Sequence, residues 1–394
     1  MSDSRSAIFP LASNTWDEAE KAAIQSVVDS GIYTMGPKVA LYEKAFADYF
    51  GSKYSIMVNS GSSANLLMIA ALFFSKTPYL KPGDEVIVPA VSWSTTYFPL
   101  QQYGLKVIFV DIDIDTLNID LVSLKSAINP RTKVIFSVNL LGNSNNFDEI
   151  NELIEKKDIV LLEDNCESMG ATFNGKYCGT FGLMGSFSSF FSHHISTMEG
   201  GCIVTDDEEL YHILLCLRAH GWTRNLPKKN MVTNEKSNNS FEESFKFVLP
   251  GYNLRPIEMS GAIGIEQLKK LPNFIANRRQ NGKKFQNLFS SHPYIGIQQE
   301  IGKSSWFGFA LKIKSEAPFS RAQLIQSLQG NNIECRPIVS GNFLTNHALK
   351  YFNYRVSGNV ANSEFIDNYG LFIGNHHYDL SSQINLLDQV IKDL

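Results

Sequence analysis

Apolar and polar positions in this chain follow a helical period in some stretches and short β-type runs in others. Residues 14–30, NTWDEAEKAAIQSVVDS, place Ala19, Ala22, Ile24, Val27 and Val28 at helical spacing, and Gly31 ends the run. A second helix is predicted from Val39, Leu41, Tyr42, Phe46 and Phe50, closed by Gly51. Short apolar runs at Tyr54–Val58, Glu85–Pro89, Lys106–Val110, Lys133–Val138 and Asp158–Leu162 predict strands. Each enters a polar loop, and helical pieces separate them, which is the pattern of a wound α/β sheet. Two more strands are predicted at Ser186–Phe191 and Cys202–Thr205, then an amphipathic helix over Asp207–Arg218.

Residues 225–245 are polar and charged and predict an excursion from the fold. A small-residue helix is expected at Ser260–Ile265. From about residue 275 the pattern becomes a helix (Asn277–Phe289), a strand (Trp306–Ile313) and a helix (Arg321–Gln329). The expected organisation is therefore a large domain over 1–255 and, over 256–394, a linking helix with a smaller C-terminal α+β domain.

Composition narrows the function classes. A chain of 394 residues is long enough for two domains, and 44% hydrophobic with 19% charged residues is ordinary for a globular enzyme. A formal charge of −4 gives no basic footprint for nucleic acid. No apolar run approaches a membrane span, and the first residues lack a basic-then-apolar leader, so a cytoplasmic enzyme is expected. The five cysteines, at 166, 178, 202, 216 and 335, match no zinc spacing and form no evident disulfide framework. No metal site is expected.

Candidate chemistry gathers where predicted strands end. Ser186–Gly201, SFSSFFSHHISTMEGG, carries adjacent His193 and His194 on a polar turn before a Gly-Gly step. Asn59-Ser60-Gly61-Ser62-Ser63-Ala64-Asn65 joins a strand to a helix, where free backbone N–H groups can receive an anion. By itself that motif is equally a capped helix start. Trp93 lies in the loop after Pro89 and reads by sequence alone as a core aromatic. Glu163-Asp164-Asn165-Cys166-Glu167 ends the strongest predicted strand.

Taken together, these segments resemble the DegT/DnrJ/EryC1/StrS family of sugar-nucleotide aminotransferases, pyridoxal-phosphate enzymes of fold type I. The resemblance is close over 59–65, 158–171, 186–205 and 250–268 and looser at the ends. It implies a mixed seven-stranded sheet and a phosphate cup at Gly61, Ser62 and Ser63, mostly through backbone N–H of the first two. It also implies Trp93 over the cofactor ring, Asp164 on the ring nitrogen, and Ser188 near the phosphate or phenol oxygen. Glu167 joins the cofactor set, standing where aminotransferases tend to have His or Gln. Asn253, in PGYNLRPIEMSGAIGIEQL, is expected to reach the cofactor phosphate of a neighbouring subunit, which implies a homodimer with shared sites. His220, Arg224 and Arg255 are the expected substrate contacts.

One departure changes the expected reaction. Family members place a lysine six residues before Glu199, and here that position is His193; no lysine lies between Lys176 and Lys228. Imidazole cannot hold the cofactor aldehyde covalently, but it moves protons near neutral pH. This swap resembles the deoxysugar 3-dehydratase branch of the family. It implies removal of the 3-hydroxyl from a nucleotide-linked 4-keto-6-deoxyhexose, with GDP-4-keto-6-deoxymannose as the expected substrate. The cofactor would be pyridoxamine 5'-phosphate, cycling with pyridoxal 5'-phosphate, and L-glutamate the amine donor. Lipopolysaccharide O-antigen dideoxysugars are the expected destination. An iron–sulfur branch carries C-terminal cysteines, but only Cys335 lies beyond residue 216 here, so no iron–sulfur cluster is expected. An ordinary aminotransferase and a non-catalytic sugar-nucleotide binder remain the alternatives.

Overall fold

A computed structural model describes residues 7–394. Its large sheet contains β1 (Tyr54–Val58), β2 (Glu85–Pro89), β3 (Lys106–Val110), β4 (Thr132–Val138), β5 (Val160–Asp164), β6 (Met184–Ser188) and β7 (Gly201–Thr205). A second sheet is built from β8 (Ile295–Ile297), β9 (Gly308–Ile313), β10 (Cys335–Arg336) and β12 (Gly370–Gly374). Between them in sequence, β11 (Tyr354–Val356) returns to the large sheet.

The large sheet runs in the order β1-β7-β6-β5-β4-β2-β3-β11. Strands β6 through β11 pair in parallel, while β7 is antiparallel to both β1 and β6. The mixed α/β sheet is thus as expected, with an eighth strand added at one edge. Its central strands are buried along nearly their whole length, as β-branched runs covered by helices on both faces must be. The second sheet is wholly antiparallel and packs its own core, including Phe285, Phe309, Leu324 and Leu387. Phe9, from the start of the chain, is buried in that second core. Among the described residues, no helix is long and apolar enough to cross a membrane.

Helix α1 (Glu18–Ser30) starts at Asp17 with a capping box and ends on Gly31 at φ 69°. Helix α2 (Pro37–Phe50) ends the same way on Gly51. Helix α3 (Gly61–Phe74) is apolar all round and buried beneath the sheet.

Four sequence boundaries are corrected. The strand expected at Asp158–Leu162 is Val160–Asp164, because Glu163 and Asp164 pair in register with Ser137 and Val138 of β4. The strand expected at Ser186–Phe191 is Met184–Ser188: the ladder to β7 ends at Ser188 opposite Gly201, and Phe190 and Phe191 face outward. The helices expected at Ser260–Ile265 and Asn277–Phe289 are one element, α4 (Glu258–Phe289), which continues through Pro272. The 225–245 excursion contains a two-strand hairpin and one short helix, Ser240–Glu243.

Close backbone approach joins the β7 start to the α3 start. A Cβ on Gly201 would lie 2.5 Å from the Ser60 carbonyl carbon and 2.6 Å from the Gly61 nitrogen. Gly201→Ala should therefore cost about 1–3 kcal/mol through forced displacement of backbone. Urea unfolding measures this, and a midpoint equal to wild type would show that the two elements do not meet.

Candidate active site

A cavity of about 340 Å³ opens at the ends of β1, β2, β5 and β6, where the wound sheet delivers its loops. Of the expected site residues, Gly61, Ser62, Trp93, Asp164, Glu167, Ser188 and His193 all line it. His220, Arg224, Asn253 and Arg255 do not.

The cup forms because Ser60 caps α3, its side chain accepting from the Ser63 N–H at 3.1 Å. That bond consumes the Ser63 N–H, so the expected cup contracts to Gly61 and Ser62, whose N–H groups have no intrahelical acceptor. A Cβ on Gly61 would sit 2.7 Å from Ser188 Cβ and 2.8 Å from Cys166 Sγ. Glycine is required for the helix start to lie this close to β6. Ser62 Oγ donates to Thr95 Oγ1 at 3.0 Å, tying the cup to the loop that carries Trp93. Trp93 is 56% exposed, so the core reading of its sequence context is replaced by a cavity-side ring.

Asp164 closes the floor. One carboxylate oxygen accepts from Asn65 Nδ2 at 2.8 Å and Thr96 Oγ1 at 2.7 Å; the other accepts from the Cys166 N–H at 3.2 Å. No cation among the described residues pairs with this buried carboxylate, whose negative end faces the cavity. Asn65 and Thr96 were not singled out in the sequence. Asn65 was visible as the last residue of the cup motif, but only the fold brings it to Asp164.

Glu167 meets the same cavity with a single fixed donor, the Leu141 N–H at 3.0 Å. Burial, with Asp164 nearby, pushes its carboxyl up to about 7. His193 lines the same cavity beside Phe307, whose ring lies 5.1 Å from the imidazole. Its Nδ1 lies 2.8 Å from the Cys166 carbonyl oxygen. A carbonyl only accepts, so Nδ1 carries the hydrogen and Nε2 holds the lone pair. Burial drives the imidazole down to about 4, and the Arg278 charge adds to this. His194 is fully buried, with Nε2 donating to the Ser305 carbonyl at 3.2 Å; it is a packed core histidine outside the cavity.

The remaining expected residues gather elsewhere. His220 sits at φ 62° with its N–H on the Tyr252 carbonyl, and Arg255 Nε donates to Asn253 Oδ1 at 2.9 Å. Arg224 lies 5.1 Å over the Trp222 ring. His220, Arg224 and Asn253 are exposed. From the C-terminal part of the chain, Arg336, Pro337 and Phe372 reach the cavity, whereas Asn375 accepts from Asn281 of α4 and His376 is bonded to the Pro10 carbonyl.

The donor set fits a phosphorylated pyridine. Gly61 leaves room and free N–H groups for an anion, and the cation-less Asp164 suits a protonated ring nitrogen. Among the described residues, no group of His, Cys, Asp and Glu could hold a metal ion.

Nitrogen-15 NMR of the apoprotein should find His193 neutral, with hydrogen on Nδ1, from about pH 6 to 8. Its acid midpoint should be about 4. The unfolded chain binds this proton more tightly, so stability should fall as pH drops from the ordinary histidine value toward that midpoint. A hydrogen on Nε2, or an unshifted midpoint, contradicts the assignment.

Comparison with known proteins bears directly on this arrangement. A GDP-4-keto-6-deoxy-D-mannose 3-dehydratase from Yersinia pseudotuberculosis is 69% identical over 385 residues, spanning 98% of each chain. The solved structure of the E. coli GDP-4-keto-6-deoxy-D-mannose-3-dehydratase with bound hydrated PLP is 67% identical, with a TM-score of 0.97, covering 98% of this chain and 99% of that one. A GDP-4-keto-6-deoxymannose-3-dehydratase structure with a trapped PLP-glutamate geminal diamine is also 67% identical, with a TM-score of 0.96, covering 97% of this chain and all of that one. The DegT/DnrJ/EryC1/StrS aminotransferase family model matches residues 14–381, and the chain belongs to that family.

Proposed function

We propose that this protein is a pyridoxamine-phosphate-dependent lyase that removes the C3 hydroxyl of GDP-4-keto-6-deoxymannose, with L-glutamate restoring the amine form of the cofactor. The observation that carries this reading is His193, a neutral imidazole at the cavity where an aminotransferase keeps its lysine. The 69%-identical Yersinia relative bears the name of this reaction, and solved relatives hold hydrated PLP and a PLP–glutamate adduct. When bound, the cofactor supplies an electron-accepting ring conjugated to the sugar carbon, which makes loss of a neighbouring oxygen feasible.

The chain's own residues do the rest. Gly61 and Ser62 hold the phosphate on backbone N–H groups at the start of α3. Asp164, fixed by Asn65 and Thr96, keeps a proton on the ring nitrogen. Trp93 would cover the bound cofactor ring, and Ser188 and Glu167 would supply polar contacts beside it. His193 Nε2 takes a proton from carbon and holds it as imidazolium; its Nδ1–H stays on the Cys166 carbonyl, fixing the ring's angle. Phe307 and its apolar neighbours exclude water from that transfer.

In this reading the active unit is a homodimer. Asn253, Arg255, His220 and Arg224 lie outside their own cavity, all but half-buried Arg255 exposed, and in this reading they reach a neighbouring copy's phosphate and nucleotide. We place the enzyme in the cytoplasm, in dideoxysugar assembly for lipopolysaccharide O-antigen.

Two experiments test this. Borohydride treatment of the pyridoxal-phosphate form should leave no cofactor mass on the wild-type protein, whereas His193→Lys should gain one phosphopyridoxyl group and lose dehydration. Intact-mass spectrometry reads both, and a wild-type adduct on a specific lysine would sink the mechanism. Separately, inactive Asn253→Ala and His193→Asn chains should recover partial activity when mixed and reassembled. No recovery would mean that each site is built from one chain.

A further inference from the structure

Five apolar side chains of the cavity lining form one continuous wall. Val138, Leu140, Phe307, Val339 and Phe372 all face the cavity, and all pack on the same hydrophobic cluster. They come from four separate places: the end of β4, the residue before β9, the loop after β10, and β12 itself. Val339 is the strained member. Its φ of 50° lies in the left-handed region, where a β-branched residue is an outlier that persists only if its surroundings hold it there. They do so through three bonds from the same loop. Ser340 Oγ donates to the Ser92 carbonyl, the Asn342 N–H to Asp367 Oδ1 at 3.2 Å, and the Phe343 N–H to the Ala90 carbonyl at 2.9 Å. Glycine would take this backbone without strain. Valine instead adds a half-buried apolar group to the cavity wall.

We propose that Val339 and the wall it completes recognise the C6 methyl group of the sugar, selecting 6-deoxyhexoses over hexoses that keep a 6-hydroxyl. The inference rests on the dehydratase reading and names what sets its sugar specificity. In that reading C3 and C4 of the sugar react within reach of His193. The C6 methyl is two bonds from C4, so it is held in the same part of the cavity. Phe307, whose ring lies 5.1 Å from the imidazole, belongs to the wall, so the wall begins beside the reacting carbons. None of its five side chains carries a hydrogen-bond donor or acceptor. A methyl group placed there leaves water for apolar surface, whereas a hydroxyl loses its water partners and gains none. The polar lining groups Ser62, Asp164, Glu167 and Ser188 are already committed to the cofactor in this reading.

The test is calorimetric titration of GDP-6-deoxymannose and GDP-mannose into the pyridoxal-phosphate form of wild type, Val339→Thr and Val339→Gly. The two ligands lack the reactive ketone and differ only in the 6-hydroxyl. Wild type should bind the 6-deoxy sugar about 10–100-fold more tightly. Val339→Thr keeps the branched shape and puts a hydroxyl on the wall, and it should cut that preference by about threefold or more. Val339→Gly, which opens the wall, should cut it as well. GDP affinity, titrated in parallel, should move by less than about threefold in either variant. Thermal unfolding checks folding, and Val339→Thr alone carries the comparison if Val339→Gly is not folded. Equal wild-type affinities for the two sugars overturn the proposal. So does a preference that survives both substitutions, or a loss shared equally by both sugars and GDP, which would make Val339 merely structural. Wild-type turnover of GDP-4-keto-6-deoxymannose is measured separately. Its absence alongside a Val339-dependent preference would remove the dehydration reading and leave the methyl-binding wall standing.

Discussion

A buried carboxylate without a cation is the constraint on which this structure turns. Asp164 sits at the end of a central strand, 5% exposed, with three hydrogen-bond donors and no ion pair. Burying an uncompensated charge costs several kcal/mol, so the surroundings must be organised to hold it. Asn65 comes from the first turn of α3, Thr96 from the helix after Trp93, and the Cys166 N–H from Asp164's own loop. Each donor ties a different loop to the strand end. Ser186, which donates to Asn65 Oδ1 at 2.6 Å, extends the same network to β6 and the turn that carries His193. A positively charged ring nitrogen would complete the charge balance, and this explains why so many polar groups converge on one acidic side chain.

Two acids of the EDNCE segment, Glu163 and Glu167, show how donor supply sets how far burial raises a carboxyl. Glu163 is fully buried but receives N–H groups from Gly179, Phe181 and Gly182, plus Asn139 Nδ2. Glu167 receives one, from Leu141. Burial raises both, and Glu167, with one donor against Glu163's four, has less to oppose it. His193 moves the other way, because burial and the Arg278 charge both penalise imidazolium. One cavity therefore holds an imidazole that is a free base and a carboxyl reluctant to ionise. Groups driven apart in this manner are suited to opposite roles in proton transfer.

Much of this was legible in the sequence, for reasons that differ by element. Strands β1, β2 and β3 were read to the residue because each is a β-branched run bounded by loop residues. Strand β5 was misplaced by two residues because its last positions are acids, and acids at a strand end read as loop. Only pairing with β4 shows that Glu163 and Asp164 belong inside. Phe190 and Phe191 misled in the opposite sense, since two aromatics suggest burial while the ladder had already ended at Ser188. The long helix α4 was broken in the reading by its glycines, polar run and Pro272. Strand β11 had no local signal at all: three residues join the sheet through a pairing nearly 250 positions away. The expected phosphate-cup residues came from the family resemblance, since the motif alone reads equally as a capped helix start, whereas Asn65, Thr96 and Phe307 act through contacts that spacing does not encode.

Replacing lysine by histidine does more than remove a covalent anchor. A lysine at position 193 would bring a flexible ammonium into a site already under the charge of buried Arg278, whose guanidinium burial pushes down to about 10. Histidine is compatible with that neighbour because it can stay neutral, and the Cys166 carbonyl rewards the tautomer that leaves Nε2 free. The same buried Arg278 bonds the Phe307 carbonyl at 3.1 Å, and the Phe307 ring packs on the imidazole. One guanidinium thus acts on His193 twice, by charge and by placing the aromatic wall beside it. In the proposed reading, with no lysine to recapture the aldehyde, retention of the cofactor would fall to the phosphate cup, the Asp164 charge and the aromatic cover. Those are the parts of the site that the fold holds most rigidly: helix α3 capped by Ser60, β5 locked between β4 and β6, and a glycine at 61 where any side chain would collide with β6. Catalysis by a freely held cofactor requires such rigidity, because no covalent bond remains to correct a misplaced ring.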